Sequence, residues 1–251
     1  MSGHSHWATI KRKKGAADAK KGQIFTRLAR EIVLAARSGG GDPDSNVGLA
    51  LAIERARAQN MPKDNIERAI RRGTGDDKEG STIEEIMYEG YAPHGVALMI
   101  SCVTDNRNRS VADIRHMLNR YGGTLGEAGA VGWQFARKAY FSFSLEGRDP
   151  DSIFELAVEA GADDVVFGDD SAEIFASVES FKAVGDALRK AKIATDDAGL
   201  RMIPNNQMEL SVEDTLQVMR LIEAIEEHDD VQDVFSNLNV SEEALARLEA
   251  A

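Results

Sequence analysis

A chain of 251 residues, 43% hydrophobic and 29% charged, carries enough apolar material for one large domain or two to three small ones. Its one cysteine, Cys102, excludes an intrachain disulfide, and its longest apolar run, about Val96 to Val103, is far shorter than the roughly 20 residues a membrane-spanning helix needs. The net charge of −12, taken alone, argues against a polyanionic partner, but it is split by position: through Arg72 there are 15 Lys+Arg against 7 Asp+Glu, and from Gly73 onward 15 against 35. A basic module leads an acidic body, and a basic module is what a polyanion binds.

Residues 1 to about 22 read as a polar arm. Lys11, Arg12, Lys13 and Lys14 are consecutive, and Lys20 and Lys21 follow. Like charges this close repel, so the arm is expected to stay mobile until a partner neutralises it. It has no apolar core of the kind a secretory leader carries, and a soluble cytoplasmic protein is expected. Three helices come next. From Gln23 to Arg37, Ile24, Leu28 and Ile32 recur at i, i+4, i+8, with Arg27, Arg30 and Arg37 falling away from that face. Ser38-Gly39-Gly40-Gly41 stops the helix. A second helix follows Asp42-Pro43-Asp44-Ser45 and runs to about Asn60; a third opens at Pro62, stops at Gly73 and carries Arg68, Arg71 and Arg72 on one face.

The segment TGDDKEG, residues 74–80, has no hydrophobic residue and reads as a linker. Strands then alternate with helices. Ile86 to Tyr91 and Val96 to Val103 are strands turned by Pro93-His94-Gly95, and a helix runs from about Ser110 to Tyr121, capped by Ser110 with Asp113 three residues on. A glycine-punctuated strand region reaches Phe135. Between Ala139 and Pro204 the order is βαββαβ, a ferredoxin-like unit complete in itself. The helix Val212–Glu227 and the strand Val231–Asn237 cannot form a domain alone, and the stretch before Phe135 lacks a second helix and a closing strand. The expected fold is therefore α+β: a helical N-terminal domain, then two α/β ferredoxin-like domains, one inserted in the other. The expected boundaries are 1–80, then 81–136 with 205–240, and 137–204 for the insert.

No catalytic triad is suggested, and the glycine runs lack the Lys-Ser/Thr of a phosphate-binding P-loop. Asp42-x-Asp44-x-Asn46 begins like a calcium loop but has Val47 at the sixth position and Ile53 at the twelfth; a polar turn feeding a helix cap is the better reading. Ser2-Gly3-His4, freed by loss of Met1, can wrap Cu(II) or Ni(II), which is expected as test-tube chemistry rather than a role. Cys102 reads as a buried, inert thiol. No enzyme, metal or cofactor is expected. Two features remain. Trp7 and the basic arm can stack on a base and displace counterions from phosphates. Thr104-Asp105-Asn106-Arg107-Asn108-Arg109, between a strand and a helix, offers two arginines to phosphate or base edges, or is a turn stapled by its own Asx hydrogen bonds.

The opening GHSHWATIKRKKGAADAKKGQIFTRLAREI resembles the YebC family, which includes the mitochondrial translational activators of cytochrome c oxidase. So do GGGDPDSN, NMPKDNIERAIRRGTG, YEGYAPHGVAL, TDNRNRSVADIR and the GG…GAVGWQF region, in order across essentially the whole chain. His6 departs from an expected lysine, and Ala130 and Gly132 replace more usual polar small residues. The resemblance implies a helical domain followed by two α/β domains, one interrupting the other. It implies a regulator of gene expression: a DNA-binding transcriptional regulator, or else a factor acting on the ribosome during synthesis of proline-rich stretches. Carried over by motif, the binding surface comprises Trp7, Lys11, Arg12, Lys13, Lys14, Lys20, Lys21, Arg27 and Arg30, with Arg107 and Arg109 as a second patch. The expected partner is nucleic acid, duplex DNA or ribosomal RNA, with the ribosome as a candidate and no membrane.

Overall fold

The computed structural model describes residues 21–76 and 83–250. Most of the expected arm, with Trp7, Lys11, Arg12, Lys13, Lys14 and Lys20, lies outside the described residues, as does most of the expected linker. The fold is α+β. In chain order the elements are α1 (Lys21–Gly39), α2 (Val47–Ala58), α3 (Lys63–Thr74), β1 (Glu84–Tyr91), β2 (Ala97–Thr104), α4 (Arg107–Arg120), β3 (Thr124–Leu125), β4 (Phe135–Ser144), α5 (Pro150–Glu159), β5 (Ala162–Phe167), β6 (Ser171–Ala176), α6 (Phe181–Lys190), β7 (Asp197–Pro204), β8 (Met208–Glu209), α7 (Val212–Glu226), β9 (Val231–Ser236), β10 (Leu238–Asn239) and α8 (Glu242–Ala250). The described residues form two compact units, one of them Phe135–Ile203 and the other the remainder.

In the larger unit, α1, α2 and α3 close over Ile32, Val33, Leu49, Ile53, Ile66 and Ala69. The α1–α2 turn is stapled by Asn46. Its Oδ1 accepts from the Leu49 amide at 3.1 Å, capping α2, and its Nδ2 donates to the Ala35 and Gly40 carbonyls, both at 2.8 Å. A Cβ at Gly39 would sit 2.6 Å from Asn46 Nδ2, so this packing requires glycine there. The Asp42–Asn46 stretch is thus the polar turn and cap expected. Gly73, read as a stop, lies inside α3, which ends instead at Gly75 in the left-handed region with φ 83°. A Cβ at Gly73 would lie 2.6 Å from both Ala36 Cβ and the Val33 carbonyl oxygen, so Gly73 marks a close crossing of α1 and α3.

The first sheet has the order β3-β1-β2-β9. Strand β1 is antiparallel to both β2 and β3, and β2 is antiparallel to β9. Strands β2 and β3 therefore run the same way around β1, joined through α4 in a split βαβ. This is a ferredoxin-like layout in which one central strand enters first, as half of a hairpin. All eight residues of β2 are buried because both faces are covered. Leu98, Ile100 and Cys102 meet Ile114 and Leu118 of α4 and Leu221 and Ile225 of α7, whereas Val103 joins the core of the helical bundle. Burial pushes the Cys102 thiol up to about 12.

The smaller unit has the order β5-β6-β4-β7, with β6 antiparallel to β4 and β5: the ferredoxin-like arrangement. Phe141 stacks on Phe181 of α6 at 5.1 Å between ring centroids. Alternation along β4 and β6 sends Tyr140 and Glu173 to the opposite face, where the Tyr140 hydroxyl donates to Glu173 Oε1 at 3.0 Å.

Candidate nucleic-acid interface

Lys21 opens α1 and Arg27 is half-buried on it. The periodicity of α1 sends Arg30 and Arg37 away from the apolar face, but neither points freely outward. Arg37 Nη1 donates to the Ile83 carbonyl at 2.7 Å. Arg30 Nη2 pairs with Asp230 Oδ1 at 3.0 Å, and its Nη1 donates to the Asp229 carbonyl. The same carboxylate gathers the strand-to-helix loop. Arg109 Nη2 lies 2.9 Å from Asp230 Oδ2, Ser110 Oγ donates to it at 2.7 Å and Thr104 Oγ1 at 3.0 Å.

Asp230 is 1% exposed, and burial acts to raise its pKa. Hydrogen bonds from Ser110, Arg109 and Thr104, with the Arg30 charge, outweigh burial and hold the carboxyl below the ordinary aspartate range. Asp230 is therefore an ionised clamp. It draws α1, the start of α4 and the approach to β9 to one point.

This geometry corrects the reading of the helix start. The cap of α4 is Asn106, whose Oδ1 accepts from the Arg109 amide at 3.1 Å. Ser110 lies within the helix, fully buried, because its hydroxyl is needed by Asp230. Asp113 is no capping partner; it pairs with His228 Nε2 at 3.2 Å while His228 Nδ1 accepts from the Asp230 amide. Of the two arginines in the loop, Arg109 is held between Asp105, at 3.1 Å, and Asp230, whereas Arg107 is exposed in the first turn of α4. The structure brings Arg30 and Arg109 together, on a shared counterion.

A second organised feature escaped the sequence reading. The Glu89 carboxylate on β1 accepts three backbone N–H groups, from Gly129 at 2.8 Å and from Val131 and Gly132 at 2.7 Å. Partial burial works to raise its pKa, but the three amides prevail and lower it. Tyr91 and Trp133 both donate to the Ala130 carbonyl, at 3.1 and 3.2 Å. The held loop presents Trp133 with 74% of its surface exposed. The glycine spacing around it was the available signal.

With this geometry in hand, comparison with known proteins places the chain. It belongs to the TACO1/YebC family. The model of that family's N-terminal domain matches residues 5–76, and the model of its second and third domain matches residues 83–238. A protein of Chlorobaculum parvum named "probable transcriptional regulatory protein" is 49% identical over 250 residues, covering 99% of each chain. A protein of Borrelia turicatae with a name of the same form is 50% identical over 243 residues, covering 97% of this chain and 99% of that one. The crystal structure of a conserved hypothetical protein from Aquifex aeolicus superposes with a TM-score of 0.83 at 41% identity, over 94% of this chain and 98% of that one. Together the two family models span the helical bundle and both four-stranded sheets.

Proposed function

We propose that the protein is a non-enzymatic, cytoplasmic regulator of gene expression that binds nucleic acid through its N-terminal module, acting on duplex DNA as a transcriptional regulator. The observation that carries this reading is the charge division, 15 Lys+Arg against 7 Asp+Glu through Arg72 and 15 against 35 beyond it. The regulatory names of the relatives support it. In this proposal residues 1–80 are the binding domain, and 81–136 with 205–240 and the insert 137–204 form the acidic body. Trp7, Lys11, Arg12, Lys13, Lys14, Lys20 and Lys21 make the main contact, continued by Arg27 on α1, with exposed Arg107 as a separate cation. Arg30 and Arg109 serve chiefly to position these elements through Asp230. No helix among the described residues is long and apolar enough to cross a membrane.

A second reading is favoured by α3. It carries exposed Arg68 and Arg71 with half-buried Arg72 beside them, which suit phosphates, and few of the amide and hydroxyl groups that read base edges in a major groove. On that reading the partner is structured RNA on the ribosome, recognised by shape and phosphates, in aid of difficult proline-rich sequences. Co-sedimentation with ribosomes at near-physiological salt, with excess duplex DNA as competitor, separates the two. Loss from the pellet in the presence of DNA is expected on the first reading. Retention in the pellet overturns it in favour of the second.

A further inference from the structure

We infer that the groove between α1 and α3 is a seat for one phosphodiester group of the bound strand, with Arg68 as its principal ligand. The inference rests on the nucleic-acid reading and adds a defined site on the folded part of the module. The groove encloses about 280 Å³ beside the Gly73 crossing, with Arg30 on α1, Arg68 and Arg72 on α3, and Asp105 at its edge. Its volume is at the small end of ligand clefts, which run from about 300 to 1,000 Å³, and suits a single small polar group rather than a cofactor.

The floor is apolar, made by Ala29, Val33, Ala69 and Ile83. The two alanines give the room, and an apolar floor lowers the local dielectric, which strengthens a guanidinium–phosphate contact. Arg30 is paired with Asp230 and the one lining carboxylate lies at the edge, so the exposed cation of the lining is Arg68. That carboxylate, Asp105, is drawn toward Arg109 at 3.1 Å. Arg30 is fixed at the groove by Asp230, which takes up its charge, so it shapes the wall and leaves the contact to Arg68. Arg68 is exposed and stands one helical turn from Arg72, a spacing that puts both on the same face. The planar fork of Arg68 matches two phosphate oxygens at once. The groove begins little more than one turn beyond Lys21, where the basic arm meets α1.

Arg71 supplies an internal control. It is exposed on the same helix, carries the same charge and does not line the groove. Binding of a labelled DNA duplex and, separately, a labelled RNA hairpin to the full chain would be titrated against salt for the native protein and for Arg68→Gln, Arg68→Lys, Arg71→Gln and Lys11→Glu with Lys13→Glu. Arg68→Gln is expected to weaken binding about tenfold and to reduce the salt slope by about one contact's worth, whatever the probe sequence. Arg68→Lys should restore the slope but not the full affinity, and Arg71→Gln should cost much less. The probe that shows this pattern identifies the source of the phosphate. If Arg68→Gln and Arg71→Gln weaken binding equally, or Arg68→Gln has no effect while the arm variant does, the groove is not a site and the nucleic-acid reading stands without it. If the native protein binds neither probe at low salt, both fall.

Discussion

Two buried carboxylates, one in each unit, meet opposite fates. Asp230 of the larger unit is 1% exposed and Glu173 of the smaller is 6% exposed. Burial opposes ionisation of both. Asp230 receives two hydroxyls and two guanidinium groups, and its pKa falls. Glu173 has the Tyr140 hydroxyl on Oε1, its Oε2 has no hydrogen-bond partner among the described residues, and its pKa rises. Burial alone does not decide the state of an acid; the number of donors aimed at it does. In the larger unit that organised charge also ties the basic module to the sheet, through Arg30.

The largest effect expected from breaking this contrast comes from Asp230→Ala. Removing the partner of a largely buried Arg30 should cost about 3–5 kcal/mol in urea denaturation. A loss under about 1 kcal/mol would mean that the clamp is ornamental. The pH dependence sharpens the same contrast. Because the folded-state pKa of Asp230 is depressed, its contribution is fully present above the unfolded value and is lost as pH falls through the depressed one. Glu173 works the other way: between its unfolded value and its raised folded value, rising pH costs stability. Stability curves between pH 3 and 7 should show a shallower acid limb in Asp230→Asn and an unchanged one in Glu173→Gln. At neutral pH, Glu173→Gln should raise the melting temperature by about 2–4 °C, what about 1 kcal/mol is worth in a chain of this size; a fall would show that the charge is satisfied after all. The smallest effect belongs to Glu89→Gln. An amide cannot accept all three loop N–H groups as a carboxylate does, so in a Trp7→Phe background the Trp133 fluorescence anisotropy should drop, with stability lowered by about 0.5 kcal/mol, the low end for one hydrogen bond. Unchanged anisotropy would show that the loop is held by other contacts.

These contrasts mark where the chain was legible and where it was not. Local pattern sufficed for the 3.6-residue period of α1, the buried run of β2 and the βαββαβ order from Tyr140 to Ile203. Short pieces were missed: β8 and β10 have two residues each, too few for any period to register, and α8 was left unread after Val240. The misread features share one physical cause, a partner far along the chain. Arg30 and Arg109 look like outward cations until residue 230 is placed beside them. Ser110 looks like a cap by its spacing to Asp113, yet its hydroxyl answers to Asp230. Glu89 binds backbone amides about 40 residues on, and amides carry no sequence signature. For the candidate interface, composition exposed the charge division, but only the folded bundle separates Arg30 and Arg109, tied to Asp230, from the exposed Arg68 on the α1–α3 groove.

The central claim is that the basic module holds phosphates. The most direct measurement is fluorescence anisotropy of a labelled DNA duplex with the full chain across a range of salt, compared with Lys11→Glu combined with Lys13→Glu. If the arm neutralises about five phosphates, log K should fall against log salt with a slope near −4.5, and the charge-reversed arm should bind far more weakly with a shallower slope. A flat salt dependence, with the variant binding as the native chain does, would contradict the account.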